Sequence, residues 1–365
     1  EASFELSKVM SRKTKILKKL GAGIRLGLQN HGVEIVTEEA RLTGKTADGF
    51  TIAAGESSYS ARRVIIATGS KAFIPPIDGL SDVPYWTARE ALEVEELPKS
   101  IVVLGGGVIG MEFVSLFSTL GVDVTVVEML PKILGPMDEE LSTELQQAFE
   151  KRKVKFHLST KVTAVRDGRV IAEHEGEQLE IPFDKLLVSV GRRAVTDGLG
   201  LETVGVELNR GAIVVDEYLE TSVPGIYAVG DVNGVSMLAH TAAREGQVAV
   251  HHITDYPDAM SYRAIPGIVY TDPEIASVGQ TEQELRTTGV DYQVHRVPMS
   301  LSGRFVIENE QGNGFCKLLT DSDGVILGAH MLGNGSSEIL VPAIMAVEQR
   351  MTLTELARIV FPHPT

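Results

Sequence analysis

Residues 100–128 read SIVVLGGGVIGMEFVSLFSTLGVDVTVVE. A short apolar run at 101–104 passes directly into glycines, and Val108, Ile109, Phe113, Phe117 and Leu120 then recur at helical spacing. A second apolar run, 122–127, ends on Glu128. Strand, tight turn, helix and strand in that order form a dinucleotide-binding unit. Gly105 permits the turn, Gly107 lets the backbone approach a pyrophosphate, and Gly110 allows the helix to pack closely on the strand. The N-terminus of that helix offers free N–H groups to the anion. Glu128, 23 residues after Gly105, stands where a carboxylate accepts hydrogen bonds from a ribose diol and repels a 2′-phosphate. The spacing therefore predicts NAD rather than NADP, against the plainer reading of a structural turn. Glu112 has two readings, a nucleotide contact or a charge that favours the helix N-terminus.

Downstream, Asp138 can cap a helix with Leu141, Leu145 and Phe149 on one face, giving a second crossover. Short alternating strands follow. The stretch ADGFTIAAGESSYSARRVIIATGS resembles the later RDGRVIAEHEGEQLEIPFDKLLVSVGR: each runs from an Asp-Gly turn through a hairpin into an apolar strand ending on glycine. The offset is 119 positions from Asp48 to Asp167 and 122 from Gly69 to Gly191. A repeat of that length would place the opening of the first copy ahead of residue 1, so the 365 residues are expected to be a fragment, unless two strand-plus-hairpin segments look alike by chance. A third glycine-terminated strand, TSVPGIYAVGDV, stops at Gly230-Asp231, where a carboxylate could hold a sugar-like hydroxyl chain or simply make a turn.

The composition is that of a globular chain, 43% hydrophobic and 23% charged. A net charge of −15 would repel a phosphate backbone, which argues against nucleic acid as a partner. No 18-residue apolar run and no signal-like start is visible, so no membrane association is expected and the cytoplasm is the default compartment. The single cysteine, Cys316, can form neither an intramolecular disulfide nor a zinc cluster and reads as an inert buried thiol. His251 and His252 are adjacent on an expected helix, point different ways and make a poor metal pair. No metal site is expected.

VIIATGS, VVLGGGVIGMEF, VTVVE, VSVGRR, IYAVGDV and MLAHTAAREG occur in the order of the two-dinucleotide disulfide oxidoreductases. IPGIVYTDPEIASVG, GRFVIENEQGNGFCKLL, ILGAHMLGNGSSEIL and the terminal HPT narrow the resemblance to the dihydrolipoyl dehydrogenases, over essentially the whole chain. The resemblance implies an α/β fold with two Rossmann-like (three-layer ββα) dinucleotide-binding domains, the first incomplete, and a C-terminal α+β dimerisation domain. The expected divisions are 1–97 and 219–260 for the flavin-binding domain, 98–218 for the NAD-binding domain and 261–365 for the interface domain.

By the same resemblance the cofactors are FAD and NAD. FAD would lie along Thr68, Gly69 and Ser70, with Asp231 on its ribityl chain, Met237, Leu238, Ala239 and His240 beside the isoalloxazine, and Ala40 near the adenine. NAD would meet Gly105, Gly106, Gly107, Val108, Ile109, Gly110, Met111 and Glu112, with Glu128, Val162 and Gly191. Where the family has GRxPN, this chain has GRRAV. His363, in FPHPT, matches the catalytic base that accepts a proton from the dithiol across a homodimer interface, a task imidazole suits near neutral pH.

The implied reaction is the oxidation of protein-bound dihydrolipoamide with NAD as acceptor. The partners would be a second copy and the lipoyl domains of 2-oxo-acid dehydrogenase acyltransferases or the glycine cleavage lipoyl protein. The family's two redox cysteines, its first glycine fingerprint and the carboxylate after the catalytic histidine have no counterpart in these residues. For the chain as written the expectation is NAD binding without flavin or turnover. Alternatives are another flavin disulfide reductase, an NAD(P) transhydrogenase, or a non-catalytic NAD-binding and dimerisation module.

Overall fold

The computed structural model describes residues 4–310 and 312–365, in two units. One comprises residues 4–72, Glu93–Leu97 and Arg192–Ser261; the other comprises Phe73–Leu92, Pro98–Gly191 and Tyr262–Thr365.

The second unit contains the glycine turn. Its parallel sheet runs in the order Lys185–Val188, Ser100–Leu104, Asp123–Val127 and Lys155–His157. Val102, Val103, Val126, Leu186 and Leu187 are at most 1% exposed, as expected of a sheet covered on both faces. The helix Val108–Thr119 crosses from Ser100–Leu104 to Asp123–Val127 and buries Met111, Phe113, Val114 and Phe117. Asp138 caps the helix Glu139–Lys151, accepting from the Glu140 N–H, and Leu141, Leu145 and Phe149 are fully buried on its inner face. A three-stranded antiparallel sheet follows, Lys161–Arg166, Arg169–His174 and Glu177–Pro182. Its first hairpin turns on Asp167 and Gly168, at φ 51° and 69°. Two successive positive φ angles define the turn that matches strand twist and favours Asp-Gly.

The C-terminal part of this unit is a five-stranded antiparallel sheet in the order Gly267–Val269, Ile275–Gly279, Ile326–Leu332, Phe315–Thr320 and Gln293–Pro298. The helix Val341–Glu348 turns Ala343, Ala346 and Val347 into a core with Ala329, Met331, Phe305 and Met299.

The described residues of the first unit repeat part of this order, antiparallel hairpins followed by a strand that pairs in parallel. Ala40–Thr46, Gly49–Ala54 and Ser57–Ala61 form a three-stranded antiparallel sheet, and Val64–Ile66 pairs in parallel with Ile226–Ala228. Residues 192–218, which the resemblance groups with the NAD-binding domain, pack in this unit. Arg192–Ala194 pairs with Ser70–Ala72, and Leu201, Val204 and Val206 share a core with Leu42 and Phe50. The helix Leu6–Asn30 buries no residue among those described.

Candidate functional site

Three glycines of the 105–110 turn differ in what the protein around them requires. Gly105 sits at φ 100°, a region that side chains rarely tolerate, and a Cβ there would stand 2.6 Å from the Ser189 carbonyl oxygen. At Gly110 a Cβ would stand 2.2 Å from the Gly105 carbonyl oxygen, so helix and turn meet too closely for any side chain. Gly107 differs: it is the extended N-cap of the helix, and among the described residues, its chain neighbours aside, no atom lies within 4 Å of where its Cβ would be. Its small size leaves the peptide edge open at the helix N-terminus, where an anion is favoured.

Glu128, at the end of the neighbouring strand, accepts the Gly106 N–H at 2.6 Å through Oε2 and the Leu130 N–H at 2.7 Å through Oε1. Each oxygen keeps a lone pair for a ribose hydroxyl. These residues fit a dinucleotide: an open helix N-terminus for the pyrophosphate and a fixed carboxylate beside it for the diol. Met111 is fully buried behind the turn, while Val108 and Ile109 are half-buried at its edge.

Glu112, half a turn beyond Gly110, accepts the Tyr270 N–H at 3.0 Å, and burial pushes its carboxyl above the usual range. It is therefore tied to the segment before the C-terminal sheet. Gly191 follows the outer parallel strand at φ 128°, near the same end of the sheet. Val162 lies in the antiparallel sheet opposite Ala172 and packs on its core, two residues from Thr160, whose N–H donates to the Glu128 carbonyl at 2.9 Å.

In the first unit the parallel pairing of Val64–Ile66 with Ile226–Ala228 brings two strand ends side by side. Ser70 Oγ donates to Asp231, and Arg192 donates to Ser70 Oγ at 2.7 Å and to its carbonyl at 2.8 Å. Gly230, at φ 75°, donates its N–H to the fully buried Glu245 at 2.5 Å. Thr68 donates its hydroxyl to the Val195 carbonyl at 2.7 Å, and the Gly69 carbonyl accepts the Val195 N–H at 2.9 Å. Thr68, Met237, Ala239 and His240 are exposed and Leu238 is half-buried. Ala40 opens the Ala40–Thr46 strand and is also exposed. A carboxylate fixed at the C-terminal edge of a parallel pair, with open space among the described residues where a Gly69 Cβ would stand, fits a polyhydroxyl chain.

His363 lies in the second unit on an exposed non-helical segment, and no hydrogen bond or ion pair to it is present among the described residues. Cys316 is half-buried, with its thiol pushed up to about 11 by burial, which keeps it protonated and unreactive at neutral pH. His251 hydrogen-bonds Asp258 at 2.7 Å while His252 stacks on Tyr218, so the two rings diverge as expected. No group of His, Cys, Asp or Glu able to hold a metal ion occurs among the described residues. No helix among them is long and apolar enough to cross a membrane.

A parallel sheet with a glycine turn, an acid ending the next strand, and a separate antiparallel C-terminal sheet define a nucleotide-binding oxidoreductase architecture. The chain belongs to the pyridine nucleotide-disulphide oxidoreductase family: the family's model matches residues 2–246 and that of its dimerisation domain matches residues 265–365. Enzymes of this family are flavoprotein disulfide oxidoreductases that use FAD and NAD. A dihydrolipoyl dehydrogenase of Rhizobium etli is 36% identical over 380 residues, 98% of this chain and 79% of that protein. A mitochondrial dihydrolipoyl dehydrogenase of Dictyostelium discoideum is 36% identical, covering 99% of this chain and 76% of that one. Among solved structures, LpdA of Mycobacterium tuberculosis superposes with a TM-score of 0.90 at 29% identity, over 100% of this chain and 82% of its own. The Cu(II) complex of the HOCl-induced flavoprotein disulfide reductase RclA of Escherichia coli does so with a TM-score of 0.89 at 25% identity, over 99% and 84%.

Lys317 is not among the site residues that the sequence points to. It is 1% exposed, with Asp138, Glu140 and Glu282 at 2.5, 3.1 and 3.0 Å. The signal was present, because alternation in FCKLLT puts Phe315, Lys317 and Leu319 on one face of the strand.

Proposed function

We propose that the protein carrying this chain is a dihydrolipoyl dehydrogenase, which oxidises protein-bound dihydrolipoamide with NAD in 2-oxo-acid dehydrogenase or glycine cleavage complexes of the cytoplasm. The observation that carries the nucleotide half of this reading is Gly107: nothing among the described residues requires glycine there, whereas a bound pyrophosphate would. The peptide edge at 105–107 and the N-terminus of Val108–Thr119 hold the pyrophosphate. Glu128 accepts the ribose hydroxyls, and its charge disfavours a 2′-phosphate. Asp231 holds the ribityl hydroxyls, and Ser70 and Arg192 hold Asp231.

A flavin, when bound, supplies the electron relay between dithiol and nicotinamide. His363 accepts the thiol proton at an imidazole nitrogen, generating the thiolate that attacks a disulfide. The cysteine pair such an exchange needs is not within these 365 residues, whose one cysteine is the protonated Cys316. For these residues alone the expectation is NADH binding without dihydrolipoamide turnover. Titration of intrinsic or nicotinamide fluorescence with NADH and NADPH tests the first half: NADH should bind at least about tenfold more tightly, and equal affinities would overturn the assignment of Glu128.

The similarity to RclA favours a second reading, a flavin disulfide reductase with another substrate. Assay of the natural protein with dihydrolipoamide and NAD separates the two, since the first reading requires NADH formation that falls at least about a hundredfold on His363→Gln.

A further inference from the structure

A buried charged cluster lies outside the glycine turn and is connected to it by one loop. Lys317, on Phe315–Thr320, reaches Asp138 at 2.5 Å, Glu282 at 3.0 Å and Glu140 at 3.1 Å. Arg296 donates to Glu140 at 2.5 Å, Tyr292 donates to Glu282 at 3.0 Å, and Arg286 stands 3.5 Å from Glu282. The fully buried His330 lies beside Asp138, held by Ser277 at 2.7 Å and the Gln280 carbonyl at 2.9 Å. Taking charges out of water offsets most of what their attraction contributes, so such a cluster is weak evidence of stability and better evidence of fixed orientation.

What it orients is the segment 129–137. At one end of that segment Glu128 binds the Gly106 and Leu130 N–H groups. In the middle, Ile133 and Leu134 are buried, and Leu134 donates its N–H to the Gly106 carbonyl at 2.8 Å. The two peptide groups that flank Gly106 are thus both held, one through its N–H and the other through its carbonyl. At the far end the C-terminal sheet and its helix take hold. Gln283 donates to the Met137 carbonyl at 2.8 Å, the Glu282 N–H donates to Asp138 Oδ2 at 3.3 Å, and Lys317 binds Asp138 Oδ1. Asp138 in turn caps the helix Glu139–Lys151.

We propose that Lys317 is a positioning residue for NAD binding: from the dimerisation domain it anchors Asp138 and so holds the loop that keeps Gly106 and Glu128 in their binding geometry. This rests on the reading of the 105–110 turn and Glu128 as the NAD site. It makes the dimerisation domain a determinant of nucleotide affinity through a residue that touches no nucleotide.

The test uses the full chain and measures NADH dissociation constants by fluorescence together with hydrogen exchange at the Leu134 amide. Lys317→Met keeps the length and removes the charge; it should raise the NADH dissociation constant by about tenfold, roughly 1.4 kcal/mol, and speed exchange at Leu134. Lys317→Arg, which restores the charge, should return the constant to within about threefold of the unmodified chain. A folded Lys317→Met chain that binds NADH within twofold of the unmodified one, with Leu134 equally protected, overturns the proposal and leaves a purely structural ion pair. Should Lys317→Met fail to fold, Glu282→Gln, at the cluster's rim, should raise the constant two- to threefold and loosen Leu134, and no change in either overturns it equally. Absence of NADH binding by the unmodified chain would instead sink the nucleotide-site reading itself, together with this role for Lys317.

Discussion

Two of the chain's glycine-bearing strand ends, those leading into Gly105–Gly110 and into Gly230, are specified in different ways. At Gly110, in the first turn of the helix beside a four-stranded parallel sheet, a Cβ would stand 2.2 Å from a backbone oxygen. At Gly230 the nearest atom is the Ala242 Cβ at 3.1 Å, the parallel sheet has two strands, and the turn is held by hydrogen bonds to Glu245. The first site is shaped by steric exclusion and the second by a polar network. Steric exclusion tolerates no substitution, whereas a network loses its members one at a time.

The largest expected effect tests the steric side. Gly110→Val should weaken NADH binding by more than about a hundredfold, because the helix cannot approach the turn without a clash. It should also lower the unfolding midpoint reported by Trp86, the single tryptophan, which stacks near Phe117 in the same unit. Gly230→Ala meets only a side-chain methyl and a positive φ of 75°, and should cost about 1–2 kcal/mol without moving the Trp86 midpoint. Equal losses from the two substitutions would erase the contrast.

Next in size is the polar part of the nucleotide site. Glu128→Arg should lower NADH affinity about tenfold and bring NADPH level with it or ahead, since a guanidinium replaces the charge that repels a 2′-phosphate. An unchanged ratio of the two affinities would show that Glu128 serves only the Gly106 and Leu130 N–H groups.

The nucleotide fold was legible because its signals are local. Strand, glycine turn and helix are consecutive, and the Asp138 cap lies next to the helix it starts. The paired sheets of the two units followed from one repeated hairpin pattern, for the same reason. Residues 192–218 were misplaced because their partners, Leu42, Phe50 and Ser70–Ala72, lie more than a hundred positions earlier and leave no periodic trace. The Lys317 cluster was missed on similar grounds: Asp138 is 179 positions away, and a lysine in an alternating strand is normally placed facing water. Of the first unit's site, motif order supplied Asp231 and Ser70, but only the structure revealed that Arg192 joins them.

A smaller effect probes that network. Ser70→Ala removes the hydroxyl that Arg192 and Asp231 share. Arg192 retains the Ser70 carbonyl, so the expected cost is about 1 kcal/mol, seen by urea unfolding as a shift in midpoint at constant slope. No measurable shift would mean that water replaces the hydroxyl and that the network is looser than its distances imply.

The smallest effect is a matter of sign. Burial raises the Glu112 carboxyl above its usual range, so the folded state holds this proton more tightly than the unfolded state does. The residue therefore favours folding while protonated, and that contribution is lost as pH rises through the folded value. At pH 7.5 the charged carboxylate is a burden that the Tyr270 N–H only partly relieves. Glu112→Gln keeps an acceptor for that N–H and removes the charge, so the melting temperature should rise by roughly 1–2 °C at pH 7.5. The gain should shrink as the pH falls toward the carboxylate range, where the natural side chain is itself neutral. A gain independent of pH would point to packing rather than charge. A loss at pH 7.5 would mean that Glu112 is stabilised at the helix N-terminus after all, as the plainer reading of its position proposes.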